Sequence, residues 1–140
     1  MLSANVDLVR SIFAAWERGY FGNIEWAIPE IEFVFADGPE PGTWTGLEGI
    51  AKANREWLSA WEKVRIKAES YTELDNERVF VVTLGSGRGR ASGLEVAPMA
   101  RSAFLFDVRD GRVTRIVAYW DRERALADLG LAPDTPSRPR

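Results

Sequence analysis

The chain contains no cysteine and no histidine. Without thiols there is no disulfide framework, no thiolate nucleophile and no cysteine-ligated metal. Without imidazole there is no histidine base, no Ser-His-Asp triad and no usual zinc site. The groups left for chemistry are carboxylates, Tyr, Arg, Lys, hydroxyls or a bound cofactor, and neither metal nor cofactor is expected. Long apolar runs are also missing. Nothing reaches the length of a bilayer span, and the opening MLSANVDLVRSIF has neither a basic segment nor a continuous apolar one, as a secretory signal would. A soluble cytoplasmic protein is the expectation, with no membrane partner. A basic stripe is lacking as well: the net charge is −3, and Lys and Arg are interspersed with Asp and Glu, which argues against nucleic acid as a partner. The Arg-Gly run GSGRGRASG, residues 85–93, is the one stretch such a binder would use, and its two arginines are thin support.

What is present is an ordinary globular composition, 46% apolar and 28% charged over 140 residues, enough for one core and too little for two. Asn5 to Arg18 spaces Val6, Val9, Phe13 and Trp16 as one face of a helix that Gly19 would stop. A short helix is expected over Asn23 to Ile28, ended by Pro29, and a strand over Ile31 to Ala36. After a Gly/Pro loop, Gly46 to Glu62 reads as a long helix with Leu47, Ile50, Asn54, Trp57, Leu58 and Trp61 on one side. From Val64 to Leu74 the period falls to two, with Val64, Ile66, Ala68, Ser70, Thr72 and Leu74 on one face and Arg65, Lys67, Glu69, Tyr71 and Glu73 on the other.

Arg78 to Leu84 is apolar on both faces, the mark of a strand covered on both sides. Gly85 to Gly93 reads as a hairpin region, Glu95 to Val108 as a long strand interrupted at Pro98, and Arg109 to Arg112 as an Asp-Gly hairpin turn into a last strand ending at Trp120. Asp121 would head a final helix closed by Gly130, leaving a disordered tail, 132–140, behind a single domain, 1–131. Helices and strands are segregated, so the fold class is α+β.

Taken together, NVDLVRSIFAAWERGYF, FVFADGPEPGTWTGLEGIAKANREWLSAW and RDGRVTRIVAYWDRERAL resemble the SnoaL-like branch of the nuclear transport factor 2-like superfamily, from residue 5 to about 131. The resemblance implies a cone-shaped, curved mixed/antiparallel sheet wrapped around a long helix, with helices on its concave side and a pocket inside. That fold hosts isomerases, cyclases, dehydratases, epoxide hydrolases and ligand binders, so it implies no single activity.

The pocket would be lined by Trp16, Tyr20, Phe35, Trp44, Asn54, Trp57, Trp61, Ser102, Phe104 and Trp120. Large rings cover area with few rotatable bonds, which suits an apolar or aromatic small molecule of cyclic or polyketide-like type. Asn54 is the polar residue of its stripe and either orients a ligand or bonds to nearby backbone or water.

Asp37 has two readings. Alternation from Phe33 and Phe35 places it on the cavity face, where an apolar setting would raise its pKa and let it move a proton. Asp before Gly-Pro is equally a turn starter. In the related ketosteroid isomerases the catalytic carboxylate occupies a similar place, which makes Asp37 the first catalytic candidate. The proton donors of that group fall here at Ile12 or Phe13 and at Ser102, and the last-strand acid of epoxide hydrolases at Ala118, so neither machinery carries over.

SnoaL-like cyclases carry an aspartate near the end of the last strand, which implies Asp121 as second candidate. Alternation opposes it, since Ile116, Ala118 and Trp120 form the more apolar face and Asp121 then serves as a helix cap. Arg101 is read as facing the outer side of the sheet. Val79, Val81, Val117 and Tyr119 are expected to form an uncovered apolar surface there, fit for the homodimer that the superfamily commonly forms.

Overall fold

The computed structural model describes residues 4–18, 25–37, 41–89 and 95–131, with the side chains of 54, 56–64, 86–89 and 95–100 excepted. The elements run α1 (Ala4–Glu17), β1 (Ala27–Phe35), β2 (Gly42–Thr45), α2 (Gly46–Ala60), β3 (Trp61–Asp75), β4 (Arg78–Gly89), β5 (Glu95–Arg109), β6 (Arg112–Tyr119) and α3 (Arg122–Leu129). Six strands form one curved sheet in the order β2-β1-β6-β5-β4-β3, in which only β1 and β6 are parallel. Among the described residues no helix is long and apolar enough to cross a membrane. The expected tail, 132–140, lies outside the described residues.

Core packing follows the helical stripe read from the sequence. Val6, Val9, Ile12, Phe13 and Trp16 of α1 are buried against the inner face of the sheet. Phe13 is the hub: it is fully buried and meets Trp16, Tyr71, Phe104 and Phe106 in edge-on geometry at 5.0–6.1 Å between ring centroids. Edge-on pairs of this kind contribute about 0.5–1.5 kcal/mol beyond the area they bury.

The turns behave as their residues require. Asp110 and Gly111 both adopt positive φ, 54° and 76°, the pair of left-handed residues that a tight hairpin between right-twisted strands needs. Gly130 closes α3 in the left-handed region, its N–H donating to Ala127 O and Leu126 O.

Four expectations are corrected. The helix over Asn23 to Ile28 is absent where the chain is described: Glu25 and Trp26 form a turn and β1 starts at Ala27. Pro29 sits inside β1 where the β1–β6 register shifts between Ala27 and Glu32, so its missing N–H breaks no ladder. A short strand, β2, occupies part of the Gly/Pro loop. The long helix stops at Ala60, and Trp61 opens β3.

The faces of β3 and β4 are corrected as well. A register shift between Ala68 and Ser70 inserts Glu69 as a bulge, which reverses the alternation beyond it. Ile66 and Ala68 stay inside, while Tyr71 joins them and Leu74 turns outward. Val79 and Val81 are in the inner core, not on the outer face. The outer face, with Phe80, Ala103, Leu105, Val117 and Tyr119, is buried under Ala125 and Leu126 of α3. The uncovered apolar surface expected as the premise for a homodimer is therefore covered within the chain.

Candidate functional site

Strand register arranges the inner face in rows. Phe33, Ile116, Phe106 and Val79 stand side by side in a deep row. The next row is Phe35, Ala118, Phe104, Val81 and Tyr71. Beyond it Ser102, Thr83 and Ala68 continue the sheet, and Asp37 and Trp120 meet at the β1–β6 end. Burial loosens along this direction. Phe33, Ile116 and Phe106 are buried, whereas Phe35, Phe104, Ser102, Trp120 and Asp37 are half-buried, so exposure rises toward the polar row.

Local sequence sets the aromatic rim. Trp44 pairs with Phe33 across β2 and β1, and its ring meets Phe35 edge-on at 5.1 Å. A Cβ on Gly42 would come within 3.3 Å of the Trp44 ring, and one on Gly49 within 3.4 Å of its backbone, so the two glycines let the indole lie close against β2 and α2. Gly46, at φ 81°, makes the left-handed turn that converts β2 into α2 directly. Phe35 also stacks on Phe33 at 5.0 Å. On the far side Trp16 packs against Trp26, Phe104 and Phe106.

Polar groups enter at two places in the third row. The Thr83 and Ser102 hydroxyls lie 2.7 Å apart, with Thr83 wholly buried and Ser102 half-buried. At the other end Asp37 takes the Trp120 N–H at 2.6 Å on one carboxylate oxygen and the Asp121 N–H at 3.1 Å on the other. Ladder pairing has just ended there, with the Ala36 N–H donating to Ala118 O, and the carboxylate extends it by supplying the acceptors that the β1 backbone no longer offers. Asp37 thus ties the end of β1 to the start of α3 across 83 residues of chain.

Asp121 continues the same corner. It is exposed, its backbone is extended, and its carboxylate accepts the Glu123 N–H at 3.0 Å, which is N-cap geometry for α3. The two candidate acids are brought together, each bound to main-chain donors.

Behind them Arg122 is 5% exposed and reaches under α3 to three acceptors. Its guanidinium donates to Thr83 O at 2.7 Å, Ser102 O at 3.3 Å and the Glu69 carboxylate at 2.8 Å. The bulge that inserts Glu69 brings this partner to it. Arg101 is on the outer side as expected, 3.8 Å from Glu123.

Of the ring residues expected to line a pocket, Phe35, Trp44 and Phe104 gather at the rim with Ser102 one row beyond, Trp120 is half-buried beside Asp37, and Trp16 is buried in the core. Tyr20 lies outside the described residues, as do the side chains of Asn54, Trp57 and Trp61. Sequence reasoning misses three polar groups. Thr83 reads as one more residue of an apolar strand. Tyr71 falls by alternation on the solvent face, yet it is inside; burial raises its pKa, while Arg10, 4.3 Å above its ring, opposes that rise. Arg122 looks like any charged residue in DRERAL, and only its position directly after a cap, opposite a bulge, makes it buried.

A separate polar cleft of about 140 Å³ lies between the β3–β4 and β5–β6 turns, lined by Asp75, Glu77, Arg78, Asp107, Val108, Arg109 and Thr114. It has no aromatic wall and lies away from the rim. Among the described residues no cluster of acids is placed to hold a metal.

Residues 9–116 match the SnoaL-like domain. No match is found among proteins of curated function. Among solved structures, an NTF2-like protein of unknown function from Burkholderia pseudomallei shares 18% identity at a TM-score of 0.75, over 90% of this chain and 97% of that one. TerC, co-crystallised with polyporic acid, shares 20% identity at a TM-score of 0.73, over 91% of this chain and 98% of its own. A protein from Jannaschia assigned to the SnoaL-like polyketide cyclases shares 18% identity at a TM-score of 0.71, over 93% and 94% of the two chains. The fold matches 198 solved chains, a breadth that makes it a poor guide to any one reaction.

Proposed function

The chain belongs to the SnoaL-like domain family, and we propose that it is a small-molecule pocket protein that takes an apolar, cyclic, polyketide-like ligand at the open end of the cone. The observation that carries this reading is the half-buried rim of Phe35, Trp44 and Phe104 beside a row bearing hydroxyls and a carboxylate. Rings left partly exposed on a concave face, next to a few polar groups, are the usual make-up of a ligand site. The TerC complex with polyporic acid supports it, as a case of this fold holding an organic molecule.

If the protein acts on its ligand, the chemistry is proton transfer at a carboxylate, with Asp37 as the group and Asp121 at its flank. A carboxylate has about four acceptor sites, and the two main-chain bonds leave Asp37 room for a further proton. The same two bonds favour a second reading, a binding domain without catalysis, because they already give Asp37 a structural role.

Native mass spectrometry of the purified protein tests the main reading, followed by release and identification of whatever copurifies. A cyclic organic molecule is expected. A chain that arrives empty and also binds no aromatic probe would overturn it. With the molecule in hand, Asp37→Asn should lower turnover by at least about 100-fold if Asp37 moves the proton. Unchanged turnover, or none in the parent protein, would leave binding alone.

A further inference from the structure

We propose that Thr83 and Ser102 form a hydroxyl relay that presents one hydrogen-bond donor, the Ser102 O–H, to a carbonyl or oxyanion oxygen of the ligand. The inference rests on the pocket reading above and adds the chemistry of the group recognised.

The direction of the relay follows from burial. Thr83 is wholly buried, so its proton has no water to go to, and a buried hydroxyl without an acceptor costs about 1–3 kcal/mol. Among the described residues Ser102 Oγ, 2.7 Å away, is the acceptor in reach. With Thr83 donating, the Ser102 proton is turned away from the pair. Ser102 is half-buried on the inner face, one row above Phe104, so its donor emerges beside the aromatic rim. A hydroxyl already accepting a bond is a better donor, because bonds in a chain polarise one another.

Two features of the fold keep this donor in place and in reach. Arg122 holds the carbonyl oxygens of both residues from behind the sheet, which fixes β4 and β5 relative to each other at the pair. Gly85 follows on the same face of β4. A Cβ there would lie 3.9 Å from Ser102 Oγ, an ordinary contact, so the glycine leaves the hydroxyl open where a longer side chain would reach over it. Its φ is not in the left-handed region, so the backbone does not require glycine at this position. The absence of a side chain matters here for access.

The ligand class that fits is a ring ketone or a ring bearing a deprotonated hydroxyl, its apolar body against Phe35, Trp44 and Phe104 and its oxygen at Ser102. Asp37 lies two strands away, roughly 10 Å at the usual strand spacing. A fused-ring molecule could span the two groups.

The experiment uses the full chain and two probes of nearly equal shape, 2-acetonaphthalene and 2-ethylnaphthalene, which differ in the acceptor oxygen. Ser102→Ala should weaken binding of the ketone by about tenfold, the worth of one hydrogen bond, and leave the hydrocarbon within about twofold. The carbonyl stretch of the bound ketone should lie at lower wavenumber in the parent protein than in Ser102→Ala. Gly85→Val, which suits a strand and leaves the core untouched, should weaken the ketone while the thermal unfolding midpoint is kept. Equal loss of both probes in Ser102→Ala, or an unshifted carbonyl stretch, would overturn the relay with the pocket intact. Failure of both probes to bind the parent protein would overturn the pocket reading, and the relay with it.

Discussion

The two faces of the sheet carry polar rows of opposite kind. On the outer face, register aligns Glu32, Arg115, Asp107, Arg78 and Asp75 across five strands with strictly alternating charge. Arg115 lies 3.5 Å from Glu32 and Arg78 2.8 Å from Asp75, all with side chains at least 42% exposed. On the inner face, at the opposite end of the strands, the polar row consists of a hydroxyl pair and one carboxylate bound to main-chain donors. The charged row stands where water screens it, whereas on the inner row Thr83 is out of reach of water and Asp37 is held by main-chain donors. The difference teaches where selectivity can come from. A screened ion pair contributes little and recognises little, whereas a hydroxyl that a bound ligand would cover discriminates strongly between ligands with and without an acceptor.

The largest expected effect breaks the boundary between the faces. Arg122→Met removes the side chain that grips the inner pair from outside and leaves Thr83 O, Ser102 O and Glu69 without it. A loss of about 3 kcal/mol in urea unfolding is expected, from acceptors stranded under α3. A loss below about 1 kcal/mol would mean that water replaces the guanidinium easily.

Next comes the corner itself. Asp121→Ala removes the cap of α3 and should cost about 1 kcal/mol by the same measurement, and ligand binding should be kept.

The smallest effect sharpens the account of the charged row. Burial raises the pKa of Asp107 against the lowering influence of Arg115 and Arg78, whereas Asp75 is lowered, chiefly by the Glu77 N–H and then by Arg78. For Asp107 the raised value means that folding favours the protonated form. Its contribution is full below the ordinary carboxylate value of 3.8 and is lost as pH rises through the folded value. For Asp75 the sign is reversed: its contribution is present above 3.8 and lost as pH falls through the lowered value. Asp107→Asn should therefore unfold at a higher urea concentration than the parent protein at neutral pH, with the difference closing in acid. A difference of constant size across that range would assign the effect to packing.

Much of the fold was legible because it is written in short-range patterns. The α1 stripe, the double-sided burial of β4, the Asp-Gly turn and the Asp121 and Gly130 caps all depend on residues a few positions apart. Pro29 misled because a proline that ends a helix and one that sits at a strand irregularity look alike without the partner strand. The site was legible only in its apolar part. Phe35, Trp44 and Phe104 announce themselves by size, but the roles of Thr83, Tyr71 and Arg122 depend on a bulge and on contacts 19 to 53 residues away along the chain. The bonds from Asp37 to Trp120 and Asp121 are of the same long-range kind, and a turn-starting motif could not reveal them.

The bulge at Glu69 works like a shift of reading frame within β3. Upstream of it, one set of alternate residues faces the inner side of the sheet; downstream, the other set does. Deleting that one residue would leave unbroken alternation with the same faces, Ala68 still opposite Thr83 and Tyr71 still opposite Val81, and would take away the carboxylate that Arg122 holds. In aligning relatives of this chain, a gap at position 69 would therefore mark the same interior wall with a different partner for Arg122.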